Sequence, residues 1–132
     1  MGAFDSMKKS LLLSLFLVYA AFSFSQGSLA DARVSAKKLN KLVKNGKAYL
    51  VDVRTLEEFS QSHLASAINI DYKSADFKTQ ISKLDRKKTV YLYCRTGNRS
   101  DKSLDSLKKW NFTHAYNIGG IHTLTTTGLR LE

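Results

Sequence analysis

The chain has 132 residues, 43% hydrophobic and 24% charged, with a formal net charge of +10, one cysteine and no proline. That length suits one domain and little more. The composition excludes a collagen, a coiled coil or a wholly disordered chain, and a lone cysteine excludes an internal disulfide and a cysteine-cluster metal site.

The basic residues are scattered, Arg86-Lys87-Lys88 being the only run of three. No zinc-finger, RRM-like or basic-helix pattern accompanies them. A solvated basic surface therefore outweighs nucleic-acid binding, and it is compatible with a weak steering field for small anions.

In chain order, residues 1–30 read as a leader and signal peptide, with one domain at 31–132. Lys8 and Lys9 form a positive n-region, and 11–24 is a 14-residue mostly apolar run, short for a membrane span. Ser28-Leu29-Ala30 would permit a cut before Asp31, and Ser23-Phe24-Ser25 a cut before Gln26. Met7 is the more natural start, which leaves residues 1–6 as an over-long beginning. No cysteine follows the apolar run, so lipoprotein anchoring is excluded. The expectation is a periplasmic or secreted domain with no stable membrane association after cleavage; the alternative is an uncleaved N-terminal anchor. A cut before Asp31 removes only Asp5, Lys8 and Lys9 among the charged residues, so the domain stays basic.

Ser35 can cap a helix carrying Leu39, Leu42 and Val43 on one face and ended by Asn45-Gly46. Residues 48–53, Ala-Tyr-Leu-Val-Asp-Val, form a mostly apolar strand of the kind that suits a parallel sheet covered on both faces. Thr55 and Glu58 make a capping box that opens a short helix, ended near His63. A short strand at 67–70 follows, then a helix capped by Ser74 with Phe77, Ile81 and Leu84 at helical spacing. The β-branched and aromatic run 89–93 is a buried strand that delivers Cys94 into a polar loop holding Arg95, Thr96, Gly97, Asn98 and Arg99. Ser100 or Asp101 offers the cap of the next helix, with Leu104, Leu107 and Trp110 on one face. A strand at 113–118 ends at Gly119-Gly120, and a short helix leads towards Gly128. Strands alternating with helices imply right-handed crossovers in one α/β domain.

Ligands bind beyond the carboxyl ends of strands in such sheets. Cys94 lies at one such end and Arg54 follows another. A thiol at a strand-to-helix turn faces loop N–H groups and the positive end of a helix dipole, which favours a thiolate and binds anions. The bland alternative is an inert strand-end thiol, since a lone cysteine is usually a small buried hydrophobe. Arg95 and Arg99 are candidates for an oxyanion contact, and Gly97 for a positive φ. Asp52, Arg54 and Glu58 read as a supporting salt-bridge cluster, with pocket lining as the alternative. His63 reads as a hydrogen-bonded scaffold histidine. His114 and His122 are far off in sequence without an acidic partner at ligand spacing, so no metal site is expected. Tyr49, Tyr91, Tyr93 and Trp110 are most simply packing residues.

Three ordered segments together resemble the single-domain rhodaneses, the thiosulfate sulfurtransferase-like family, and within it the small exported forms of the phage shock protein E type. They are 50–59 with His63 and 67–70, then 90–100, then 117–121 with Gly128. The resemblance implies a rhodanese-like α/β fold with a five-stranded parallel sheet and helices on both faces. It assigns Cys94 as the sulfur-carrying nucleophile, and residues 95–99 as the cradle of its persulfide, with no cofactor beyond that covalent sulfur. The implied reaction moves the outer sulfur of thiosulfate to Cys94 and then to cyanide or a thiol. A second reading is a persulfide carrier or protein-binding module loaded by a sulfur-relay partner. The sequence departs from the family at Ser62, Ser66-Ala67 and Leu124, which touch loops and C-terminal packing rather than the cysteine loop. Cysteine phosphatases are the enzymatic rival. Their loops place five residues between cysteine and arginine, or run to seven in all in the related fold, against four between Cys94 and Arg99 and six in all here.

Overall fold

The computed structural model describes residues 27–132. The n-region, the apolar run and the cut before Gln26 lie outside the described residues.

The elements are α1 (Ala36–Lys44), β1 (Ala48–Asp52), α2 (Leu56–Gln61), β2 (Ile68–Asn69), α3 (Phe77–Ser82), β3 (Thr89–Cys94), α4 (Asn98–Lys109), β4 (Ala115–Gly120) and α5 (Ile121–Thr125). The strands pair in the order β2-β1-β3-β4, and every pair is parallel. Side-chain alternation along β1 and β3 divides the core in two. On one face Leu50, Tyr91 and Tyr93 pack with Leu39 of α1 and Leu124 of α5. On the other, Val51, Leu92 and Cys94 pack with Ile81 of α3 and Leu107 of α4. Helices therefore cover both faces, as near-continuous apolar strands require.

The sheet of the described residues has four strands, not five. Backbone groups ahead of α1 are bonded locally rather than in a ladder: Ala32 N–H to Ser28 O at 3.3 Å, Arg33 N–H to Ala30 O at 3.0 Å and Val34 N–H to Leu29 O at 3.1 Å. Arg33 turns the chain at φ 51°. The segment buries Ala32 and Val34 as a turn, not as a strand. A separate antiparallel bridge joins Leu64 to Leu131.

Local signals explain most boundaries. Ser35 caps α1 by accepting from Lys38 N–H, and the Thr55–Glu58 capping box is complete in both directions. Two expected caps are displaced. Ser74 does not cap α3; Asp76 stands at that position, and the Ser74 hydroxyl donates to the Asp76 carboxylate instead. Neither Ser100 nor Asp101 caps α4. The helix begins three residues earlier than the polar pattern suggests, at Asn98, with Gly97 before it at φ 94°. A left-handed glycine turns the chain directly from loop into helix, and Ser100 becomes a buried member of the first turn.

Register then places the site. Asp52 pairs with Tyr93, so the ends of β1 and β3 are adjacent. Between β3 and β4 the register slips after Leu92, giving Leu92 opposite Asn117 but Tyr93 opposite Gly119 and Cys94 opposite Gly120. Paired residues share a face, so Asn117 points to the α4 side with Leu92 and Cys94. Ile118, the extra residue, packs on the α1 side.

Candidate active site

Cys94 is the last residue of β3, and its sulfur lies beneath the first turn of α4. Gly97 N–H reaches Sγ at 3.0 Å and the Ser100 hydroxyl lies at 3.4 Å. The cysteine is 1% exposed. The polar loop therefore does not expose the thiol. The side chain leaves the strand on its α4 face, where Leu92 and Leu107 already form a core. Burial raises the thiol's pKa, but the Ser100 hydroxyl and the N–H groups of Ser100, Thr96 and Gly97 lower it further, and the net position is below that of an ordinary thiol. Donors aimed at one buried atom favour its anion without a general base.

The loop backbone is held from below by Gly120. A Cβ there would meet Arg95 O at 2.5 Å and Thr96 Cα at 3.1 Å, so a side chain would push the loop off the sheet. Asn117 holds it from the side. Its Nδ2 donates to Gly97 O at 3.0 Å, and its Oδ1 accepts from the Ser100 hydroxyl at 2.8 Å and from Gly119 N–H at 3.0 Å.

The arginines divide sharply. Arg99 forks onto Glu58 at 2.7 and 2.8 Å. That pair holds Glu58 down to about 2, with Thr55 N–H and hydroxyl adding to it against a modest burial effect. Arg99 therefore ties the loop to α2 rather than pointing a free charge at a ligand. Arg95 is exposed and makes no ion pair among the described residues. Thr96 and Asn98 are also exposed; of these two, Thr96 contributes to the sulfur through its N–H group.

At the end of β1 the buried Arg54 and Asp52 bond at 2.7 Å, and the same guanidinium donates to Ser62 O at 2.7 Å. Asn69 Nδ2 bonds the carbonyls of Asp52 and Arg54 at 3.1 and 2.9 Å, tying β2 to this turn. His63 stacks on Phe59, contacts its carbonyl through Nδ1 at 2.9 Å and lies 3.6 Å from Glu132, which makes it part of the scaffold. Among the described residues no three His, Cys, Asp or Glu side chains converge to hold a metal ion.

The structure thus brings Cys94, Gly97, Arg99 and Glu58 into one unit, with the Asp52–Arg54 pair one strand away and Arg95 at its open side. A cavity of about 260 Å³ opens there, between Arg95, Arg54, Glu58, Ser62, Ile121 and His122. Sequence reasoning missed Ser100 as a thiol partner, Asn117 and Gly120 as loop supports, and Asn69. Ser100 carried a signal, but it was read as a cap. Asn117 and Gly120 sit in a segment whose role depends on a register slip.

The comparisons agree with this geometry. The family model for the rhodanese-like domain matches residues 35–124. Thiosulfate sulfurtransferase PspE of Escherichia coli is 34% identical over 71 residues, covering 54% of this chain and 68% of that protein. The chloroplastic thiosulfate sulfurtransferase 16 of Arabidopsis thaliana is 34% identical over 116 residues, covering 80% of this chain and 96% of that protein. Among solved structures, a rhodanese from E. coli determined with anions is 29% identical with a TM-score of 0.54, covering 64% of this chain and 96% of that one. The chain belongs to the rhodanese-like family, and its relatives support sulfur transfer as its general activity.

Proposed function

We propose that this family member is a thiosulfate sulfurtransferase working through a Cys94 persulfide, and that the leader at residues 1–30 exports it before it acts. The observation that carries the reading is the buried sulfur with Gly97 N–H at 3.0 Å and Ser100 Oγ at 3.4 Å.

In the first half-reaction the Cys94 thiolate attacks the outer sulfur of thiosulfate. A Cys94 S–S bond forms, the S–S bond of thiosulfate breaks, and sulfite leaves with the bonding pair. In the second, cyanide or a thiolate attacks the outer persulfide sulfur, forms thiocyanate or a new persulfide, and returns the Cys94 thiolate. This is covalent double displacement. Arg95 stands at the open side, where its guanidinium suits the sulfonate end of the donor. A cysteine only 1% exposed favours a donor that presents one small atom. The E. coli rhodanese solved with anions is in keeping with an anionic donor.

The test is the intact mass after thiosulfate treatment. One added sulfur is expected, lost on cyanide addition and absent in Cys94→Ser. Turnover by Cys94→Ser would end the proposal. Loading by a partner protein's persulfide much faster than by thiosulfate would instead favour the carrier reading.

A further inference from the structure

Asn117 touches neither the sulfur nor the open cavity, yet it is 5% exposed and its side chain makes three hydrogen bonds at 2.8–3.0 Å. Two of them end on the residues that face Cys94. Its Nδ2 holds Gly97 O, beside Asp101 N–H, and so anchors from its carbonyl side the residue whose N–H points at Sγ. Its Oδ1 receives the Ser100 hydroxyl.

A serine hydroxyl has one proton to donate. It cannot serve Asn117 Oδ1 at 2.8 Å and Cys94 Sγ at 3.4 Å together. The shorter contact holds the proton while the sulfur is a neutral thiol, itself a weak acceptor. Once the thiol proton has left to solvent, the anionic sulfur becomes the stronger acceptor. Turning about the Cβ–Oγ bond then brings the Ser100 proton to sulfur. Asn117 Oδ1 is not stranded by that turn, because Gly119 N–H still donates to it at 3.0 Å.

We propose that Asn117 is a positioning residue for the thiolate. It anchors Gly97, whose N–H points at the sulfur, and holds the Ser100 hydroxyl until charge develops on Cys94. The proposal rests on the persulfide reading only in the use made of the thiolate; the geometry concerns the resting thiol. The charged groups around that thiol are largely matched: Arg99 by Glu58 from α2, and Arg54 by Asp52 from the end of β1. Arg95 is exposed, and burial works against the anion. Hydrogen bonds from neutral groups therefore decide the charge state of the sulfur.

Cys94 is the only thiol in the chain, so the pH dependence of its alkylation by iodoacetamide reports its pKa directly in the full chain, with no sulfur donor present. Ser100→Ala should raise the midpoint by about one unit, the size expected when a charge-assisted hydrogen bond is lost. Asn117→Ala alone should raise it by less, because losing the Gly97 anchor is opposed by release of the Ser100 proton to sulfur. The double variant should therefore rise by clearly more than the sum of the two, since no hydroxyl is left to release. Far-UV circular dichroism identifies the variants that fold. If Asn117→Ala does not, Asn117→Leu, which removes the same hydrogen bonds but fills the site, replaces it. A folded double variant whose midpoint is no higher than that of Ser100→Ala overturns the proposal, as does full additivity in the double variant. None of these outcomes depends on turnover, so the proposal can fail while sulfur transfer stands, and the reverse.

Discussion

The carboxyl ends of β1 and β3 lie side by side, Asp52 opposite Tyr93, yet they resolve the same physical problem in opposite ways. At β1 the anion is resident. Asp52 is fully buried and receives Arg54 N–H, Nε and Nη2 at 2.7–3.0 Å, and the remaining reach of the guanidinium ends on Ser62 O. At β3 the donors converge on a neutral atom that becomes an anion only when its proton leaves. A strand end whose charges are already matched is a lock; one whose donors await a charge is a reactive centre. Glu58–Arg99 joins the two ends, since Glu58 belongs to the helix that follows the lock and Arg99 to the first turn of the helix that lies over the thiol.

The most severe way to break this comparison is at the lock. Arg54→Ala leaves Asp52 buried beside nothing of opposite charge, and removing one member of a buried pair costs about 3–5 kcal/mol. Urea unfolding followed by circular dichroism should show a loss of that size at neutral pH. A loss below about 1 kcal/mol would place Arg54 with exposed pairs and make the β1 end something other than a lock.

How much of this was legible beforehand depends on the range of each interaction. The Thr55–Glu58 box spans three residues, and the letters alone announce it. The positive φ of Gly97 was readable for the same reason. The Glu58–Arg99 fork joins residues 41 apart, so it needs the fold before the two can be paired. Asn117 was within a motif that carried the family resemblance, but its role depends on the slip after Leu92, which no local pattern announces. The burial of Cys94 was hidden for a related reason. Its loop is polar in sequence, while the face onto which the strand turns it is apolar. The expected fifth strand was drawn from resemblance rather than from residues; the residue patterns offered four strands, and four pair in the sheet of the described residues.

A milder test sharpens the contrast between the two loop arginines. Arg95 is exposed and unpaired among the described residues, so it adds nothing to the lock. Arg95→Gln should leave stability within about 0.5 kcal/mol, as surface substitutions usually do, while raising KM for thiosulfate roughly 10-fold, the value of one good charge-assisted contact. Steady-state kinetics beside urea unfolding separates the two. Lost stability with an unchanged KM would move Arg95 to the structural side of the comparison.

The smallest expected effect tests the link itself. Glu58→Gln keeps an acceptor for the Thr55 cap, because glutamine serves in a capping box as glutamate does, but it removes the charge that Arg99 holds. In the folded protein Glu58 sits at about 2 against an ordinary value of 4.5. A depressed folded value stabilises the fold above the ordinary one, and the contribution disappears as pH falls through the folded one. Solvent screens this half-exposed pair, so the substitution should cost only about 1 kcal/mol at pH 7. The gap between the two proteins should narrow by about pH 3, where the unfolded carboxyl is largely protonated. Urea unfolding at the two pH values measures it, and a gap independent of pH would show that the Glu58 charge does not hold the loop. The same variant releases Arg99 beside Cys94. If the ion pair is what keeps Arg99 from acting as Arg95 does, KM for thiosulfate should fall in Glu58→Gln even as stability falls. The two properties moving in opposite directions would distinguish a link between lock and reactive centre from one more structural bridge.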